Sequence, residues 1–204
     1  MTQESPLNLV WHPGHVERSE RAARLGQTPV TLWLTGLSAA GKSTLAFALE
    51  RALHERGRAC YVLDGDNVRH GLNRNLGFSP ADRSENIRRI AEVARLMNDA
   101  GLIVITAFIS PWRADRVAAR QIIGAASFLE VHVSTPLAVC EARDPKGFYG
   151  QARRGELADF TGVSSPYEAP EHAALSIDTA QHSLADAVDQ LLQLLAQAPI
   201  AASR

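Results

Sequence analysis

Gly36-Leu37-Ser38-Ala39-Ala40-Gly41-Lys42-Ser43-Thr44 has the form GxxxxGK[ST] and lies between a β-branched run and a helical pattern. In that context it is a phosphate-cradling loop. Successive backbone N–H groups and a helix N-terminus hold phosphate oxygens, and glycines let the backbone approach closely. Lys42 reaches the β and γ phosphates, and the Ser43 hydroxyl ligates Mg²⁺. The bland alternative, an ordinary Gly-rich turn, is disfavoured by the strand and helix on either side. By itself the loop predicts a nucleoside triphosphate and no acceptor.

Further candidates follow it. Asp64 ends a strand-like run, and Asp66 and Asn67 follow in Leu63-Asp64-Gly65-Asp66-Asn67. Carboxylates at a strand end beside such a loop suit Mg²⁺ contact or deprotonation of an acceptor hydroxyl. Asp64 is read that way, whereas Asp66 is open between this role and a helix N-cap. Between residues 69 and 89, five arginines against Asp82 and Glu85 give a local charge of +3 in a chain of net charge −1. Arginine forks match phosphate and sulfate. Arg74 and Arg88 are read as a solvated helix face, while Arg83 and Asn86 share one face and can grip a ligand together. Phe78 is open between base stacking and core packing. Ser110, before Pro111, is open between a pocket hydroxyl and an N-cap. Arg143 and Lys146 sit in Arg-Asp-Pro-Lys-Gly, which suits a lid over the transferred phosphate. Lys42 and Lys146 are the only lysines among 21 basic residues, each inside a Gly-containing motif, which favours function at both.

Five strands are predicted to position these residues: Val30–Thr35, Cys60–Leu63, Ile103–Phe108, Phe128–Val133 and Ala174–Asp178. They alternate with helices over Lys42–Arg56, Ser84–Ala100, Pro111–Ile123, Pro136–Arg143 and Ser183–Ala196. The alternation predicts an α/β fold: a parallel sheet covered on both faces, joined by right-handed crossovers, with ligands at the carboxyl ends of the strands. Residues 1–27 read as an N-terminal arm with one helix turn, 28–204 as one domain, and about 144–172 as its lid.

Composition sets the outer bounds. The chain has 204 residues, 46% hydrophobic and 21% charged, an ordinary globular balance. Its longest apolar run, Leu102 to Ile109, is too short for a membrane span, and Met1 to Val10 lacks the features of a signal peptide. Two cysteines, Cys60 and Cys140, fit a reducing, cytoplasmic setting. The charge gives no general attraction to nucleic acid or membrane, and no His or Cys spacing predicts zinc.

The strings GLSAAGKSTLA, LDGDNVRHGLN, LGFSPADRSENIRRIAEVARL, FISPWR, RDPKGFY and FTGVSSPYEAPE resemble the adenylyl-sulfate kinase (APS kinase) family, as does NLVWH near the start. The resemblance runs from about Asn8 to Leu191. It implies a three-layer phosphate-loop kinase fold and transfer of the ATP γ-phosphate to the 3′-hydroxyl of adenosine 5′-phosphosulfate (APS). By position, residues 36–44 with Arg143 would bind ATP, and Ser43 and Asp64 would hold Mg²⁺. Asp64 would also orient or deprotonate the hydroxyl. Asp66, Asn67, Arg69, Arg83 and Asn86 would bind the acceptor, Phe78 and Phe160 would sandwich its adenine, and Ile109–Ser110 would line the pocket below Lys146 of the lid. The family has been proposed to use the serine at position 110 as a phosphoserine intermediate; the expectation here is direct transfer. A homodimer and a link to ATP sulfurylase are also implied. Asn75 stands where many members have Asp, and Gly150 and Gln151 stand where many have two lysines, with Arg153 and Arg154 expected to compensate. Two rivals stand beside this reading: a kinase for a nucleoside monophosphate or sugar acid, and a nucleotide-binding regulatory domain without transferase activity.

Overall fold

A computed structural model describes residues 9, 10 and 12–197. Residues 1–8 of the arm, with Asn8 and Trp11 of NLVWH, lie outside the described residues.

The strands are β1 (Thr31–Thr35), β2 (Cys60–Asp64), β3 (Ile103–Ala107), β4 (Phe128–Val133) and β5 (Leu175–Ile177). All pair in parallel, in the order β2-β3-β1-β4-β5. β1 and β3 are buried along their whole length, which explains why they read as continuous apolar runs. The helices are α1 (Arg18–Leu25), α2 (Lys42–Glu55), α3 (Pro80–Asp99), α4 (Arg113–Ile123), α5 (Leu137–Arg143), α6 (Phe148–Arg153) and α7 (Leu184–Ala196). One side of the sheet buries Leu32, Leu34, Ile105 and Val131 with Leu45 and Leu49 of α2 and Leu191 of α7. The other buries Trp33, Val104 and Phe128 with Ile87 and Ile90 of α3 and Ala119 of α4. The result is helix, sheet, helix.

Three local differences from the sequence reading have physical causes. α3 starts at Pro80, four residues before the apolar periodicity, because the Ser79 side chain accepts from the Asp82 amide and proline suits the first turn. The arm forms an eight-residue helix, α1, with a capping box between Glu17 and Glu20. It is held at the amino ends of the strands: Gln27 Nε2 donates to Ala59 O and Gly101 O, and Arg18 to Pro29 O and Ser127 Oγ. None of its residues is buried, so no apolar stripe announced it. The segment expected to form a lid carries α6, too short for a periodic signal.

Candidate functional site

Because the strands are parallel, the segments that leave their carboxyl ends converge. A cleft of about 760 Å³ there is lined by the phosphate-loop residues Ser38, Ala39, Gly41, Lys42, Ser43 and Thr44, by Asp64 to Asn67, and by Arg69, Phe78, Arg83, Asn86, Ile109, Ser110, Arg143 and Lys146. Of the sequence-predicted candidates, all line this cleft except Phe160 and the loop residues Gly36, Leu37 and Ala40.

The loop is locked from below. A Cβ on Gly36 would collide with the Val133 carbonyl, so only glycine lets β1 turn here. Thr135 and Thr179 hydroxyls, from the ends of β4 and β5, both donate to Ala40 O, at 3.0 and 2.9 Å. Tyr149 of α6 donates to Ser38 O at 3.0 Å, tying the lid helix to the loop. The Lys42 ammonium folds back onto Leu37 O (2.6 Å) and Gly36 O (3.0 Å). Only 8% of this residue is exposed, and burial pushes its pKa down to about 8. A triphosphate offers that ammonium far better partners than two carbonyls.

Ser43 Oγ donates to Asp64 Oδ2 at 2.7 Å. Asp64 Oδ1 accepts from the amides of Asp66 and Asn67 at 3.0 and 3.3 Å. The cap of the short 3₁₀ turn Asn67–His70 is therefore Asp64. Asp66, open to a capping role from the sequence, makes no side-chain cap. Its carboxylate instead pairs with Lys146, joining the lid to the rim of the cleft. The two oxygen donors Ser43 and Asp64, beside the loop, fit Mg²⁺, which prefers oxygen ligands and usually completes its shell with substrate phosphates and water. Among the described residues there is no larger cluster of metal-ligating side chains.

Elsewhere in the cleft, the Arg69 guanidinium lies 4.3 Å from the centre of the Phe78 ring and that of Arg83 lies 5.8 Å away. Burial lowers the pKa of both arginines, and the neighbouring Arg69 charge lowers that of Arg83 further. Two like charges held together with partial desolvation mark a place for an anion. Arg83 also donates to Asp159 O and Thr161 Oγ1, so it fastens the far part of the lid. Phe78 is 63% exposed and faces the cleft, whereas Phe160 is 8% exposed, set edge-on against Tyr149 at 4.9 Å. Phe160 packs in the core cluster and does not line the cleft, whereas Phe78 does.

Ser110 is buried, with φ +39°, the left-handed region that costs a residue other than glycine about 1–3 kcal/mol. It is no N-cap, since α4 starts at Arg113 after Trp112. Its Oγ accepts from the Trp33 indole at 3.2 Å. Arg116, 3% exposed, holds this turn: it donates to Ser110 O (2.7 Å), Glu130 Oε1 (2.6 Å) and Glu168 O (2.6 Å). Trp33, Arg116, Thr135, Tyr149 and Thr179 escaped sequence reasoning because their roles arise from contacts between distant elements. Phe47, His182, Ser183 and Leu184 also line the cleft and carry no motif.

The departures have local accounts. Asn75 Oδ1 accepts from Arg89 at 2.8 Å. Gly150 and Gln151 lie in α6. Arg153 and Arg154 do not compensate at the cleft: they pair with Glu141 and Glu156 and do not line it. Arg88 pairs with Glu85 on an exposed face.

A family model described as adenylylsulphate kinase matches residues 28–178. The adenylyl-sulfate kinase of Shewanella sp. (strain MR-4) is 61% identical over 188 residues, 92% of each chain. An APS kinase of Mycobacterium tuberculosis, solved in complex with AMPPNP and APS, is 46% identical with a TM-score of 0.81, over 84% of this chain and 99% of that one. A sugar kinase from Janibacter sp. HTCC2649, 21% identical, shares the fold with a TM-score of 0.61, over 86% of this chain and 99% of that one.

Proposed function

The chain belongs to the adenylylsulphate kinase family, and from that premise we propose that it transfers the γ-phosphoryl group of ATP to the 3′-hydroxyl of adenosine 5′-phosphosulfate, giving 3′-phosphoadenylyl sulfate and ADP. One observation carries the assignment of roles. The phosphate loop, Asp64 and the paired arginines Arg69 and Arg83 line a single cleft, with Asp64 between loop and arginines in sequence.

Residues 36–44 and the N-terminus of α2 cradle the triphosphate, and Lys42 leaves its two carbonyls for β and γ oxygens. Ser43 and Asp64 would hold Mg²⁺, which would neutralise charge on the phosphates. Arg143, which donates to Thr179 Oγ1 and Thr179 O, stands at the nucleotide end with His182 and Leu184. Arg69, Arg83 and Asn86 take the phosphosulfate, Phe78 stacks on the adenine, and Ile109 and Ser110 form the wall behind the ribose. Asp66 and Asn67 border the acceptor, and Asp64 accepts the hydroxyl proton or orients it. Transfer is direct and in line, because alignment and charge neutralisation supply most of what phosphoryl transfer needs. Lys146 exchanges Asp66 for phosphoryl oxygens, and the lid excludes water.

The reading extends to a cytoplasmic homodimer working beside ATP sulfurylase. Its support is family membership.

The test is ADP release from ATP with adenosine 5′-phosphosulfate, AMP or shikimate. Turnover confined to the first supports the proposal. Preference for AMP or shikimate would replace it with the rival kinase reading, and no ADP with any acceptor would favour a regulatory domain.

A further inference from the structure

Asn73 and Asn86 meet behind the acceptor end of the cleft, where Asn73 Nδ2 donates to Asn86 Oδ1 at 2.9 Å. Asn86 lines the cleft one turn beyond Arg83 on α3, while Asn73 stands behind it, wholly buried. The remaining oxygen of Asn73, Oδ1, is buried and has no partner among the described residues. An unpaired buried acceptor is costly, and an apolar side chain of similar size would remove that cost while stranding Asn86 Oδ1 at a comparable one. Stability therefore gives no reason for asparagine here.

The orientation of its neighbour does. A carboxamide presents an acceptor at one end and two donors at the other, and the two ends are nearly alike in shape. With Asn86 Oδ1 committed to Asn73, its Nδ2 makes no protein hydrogen bond among the described residues, and Asn86 presents N–H groups to the cleft. The reverse orientation would present a carbonyl oxygen to an anion. The loop also keeps Asn73 in place, because its amide donates to Val68 O at 2.9 Å and its carbonyl accepts from Leu76 N at 3.0 Å. Arg69 fastens the same loop by donating to Leu76 O and Gly77 O.

We propose that Asn73 is a positioning residue that fixes the Asn86 amide with its donors toward the cleft, and so favours an anionic acceptor. The proposal rests on the reading of Asn86 as an acceptor ligand. Steady-state kinetics of Asn73→Leu, Asn73→Asp and Asn86→Ala, with melting temperatures, separate the two. Asn73→Leu removes the anchor and the unpaired oxygen together. It is expected to raise KM for adenosine 5′-phosphosulfate about fivefold or more, leave KM for ATP within about twofold, and leave the melting temperature nearly unchanged, since one unpaired buried acceptor replaces another. Asn73→Asp, which turns the Asn86 amide round, is expected to raise the acceptor KM further. Unchanged acceptor kinetics in Asn73→Leu, with a large effect in Asn86→Ala, would overturn the inference and leave the reading of Asn86 standing. No effect in Asn86→Ala would overturn both. A lower melting temperature in Asn73→Leu with both KM values rising together would mean a merely structural residue.

Discussion

Replacing Ser110 by alanine separates the two roles open to that hydroxyl. In the structure Oγ is the acceptor for the buried Trp33 indole N–H, at 3.2 Å. Trp33 is fully buried and stacks on Phe108, so its N–H would be left without a partner. A buried donor stranded in this way costs about 1–3 kcal/mol. For a chain of about 200 residues each kcal/mol lowers the melting temperature by roughly 2–4 °C. Ser110→Ala should therefore melt several degrees lower, yet keep turnover within about tenfold of the parent, since no bond to Ser110 forms in direct transfer. Ser110→Gly loses the same acceptor but relieves the left-handed backbone, and should lie about 1 kcal/mol above the alanine variant in stability. Stability is read by denaturant unfolding and turnover by ADP release, with intact mass recorded after incubation with ATP alone. A phosphate on Ser110 that is chased into product at the turnover rate would refute the reasoning. So would an inactive alanine variant of unchanged stability.

Other consequences follow from the same geometry. Burial holds the free Lys42 ammonium at about 8, below its ordinary 10.5, and bound triphosphate raises it again. ATP affinity should therefore be level below that pH and fall as pH rises through 8, approaching about tenfold per unit. Titration calorimetry between pH 7.5 and 9 measures this, and a flat profile would contradict it. Arg83→Ala should lower acceptor kcat/KM about tenfold or more while ATP binding holds, because a charged hydrogen bond is worth about 1.5–3 kcal/mol; an equal loss of nucleotide affinity would show that the cleft is divided differently. Arg116→Met strands Glu130 and two carbonyls and should cost about 3 kcal/mol or more in urea unfolding, with Glu130→Gln in the same chain recovering part of it. A loss below about 1 kcal/mol would mean that the Ser110 turn holds without its guanidinium.

The sheet was legible because buried parallel strands are short apolar runs and their helices are periodic. β4 runs over the predicted Phe128–Val133, and the others differ by a residue or so at their ends. That the loop residues, Asp64, Arg69 and Arg83 come together was legible because the loop and Asp64 follow strand ends directly and the arginines cluster in the segment after β2. The packing of Phe160 on Tyr149 was not legible, because an aromatic residue in such a motif reads the same whether it stacks on a base or packs on a neighbour. Arg116 was invisible for the opposite reason. It sits in a charged helix where solvation is the usual expectation, and only the fold brings Ser110, Glu130 and Glu168 around it. The Thr135–Thr179 pair beneath Ala40 joins residues 44 apart, beyond any local pattern.

Locating the transferred phosphate tests the central claim most directly. The protein is incubated with ATP, Mg²⁺ and adenosine 5′-phosphosulfate, and the product is read by phosphorus NMR with proton coupling and by mass. The account predicts one new phosphomonoester coupled to the ribose 3′ proton, formed in equal amount with ADP. A phosphate at any other position, or ADP formed with inorganic phosphate while the acceptor stays unchanged, would contradict it.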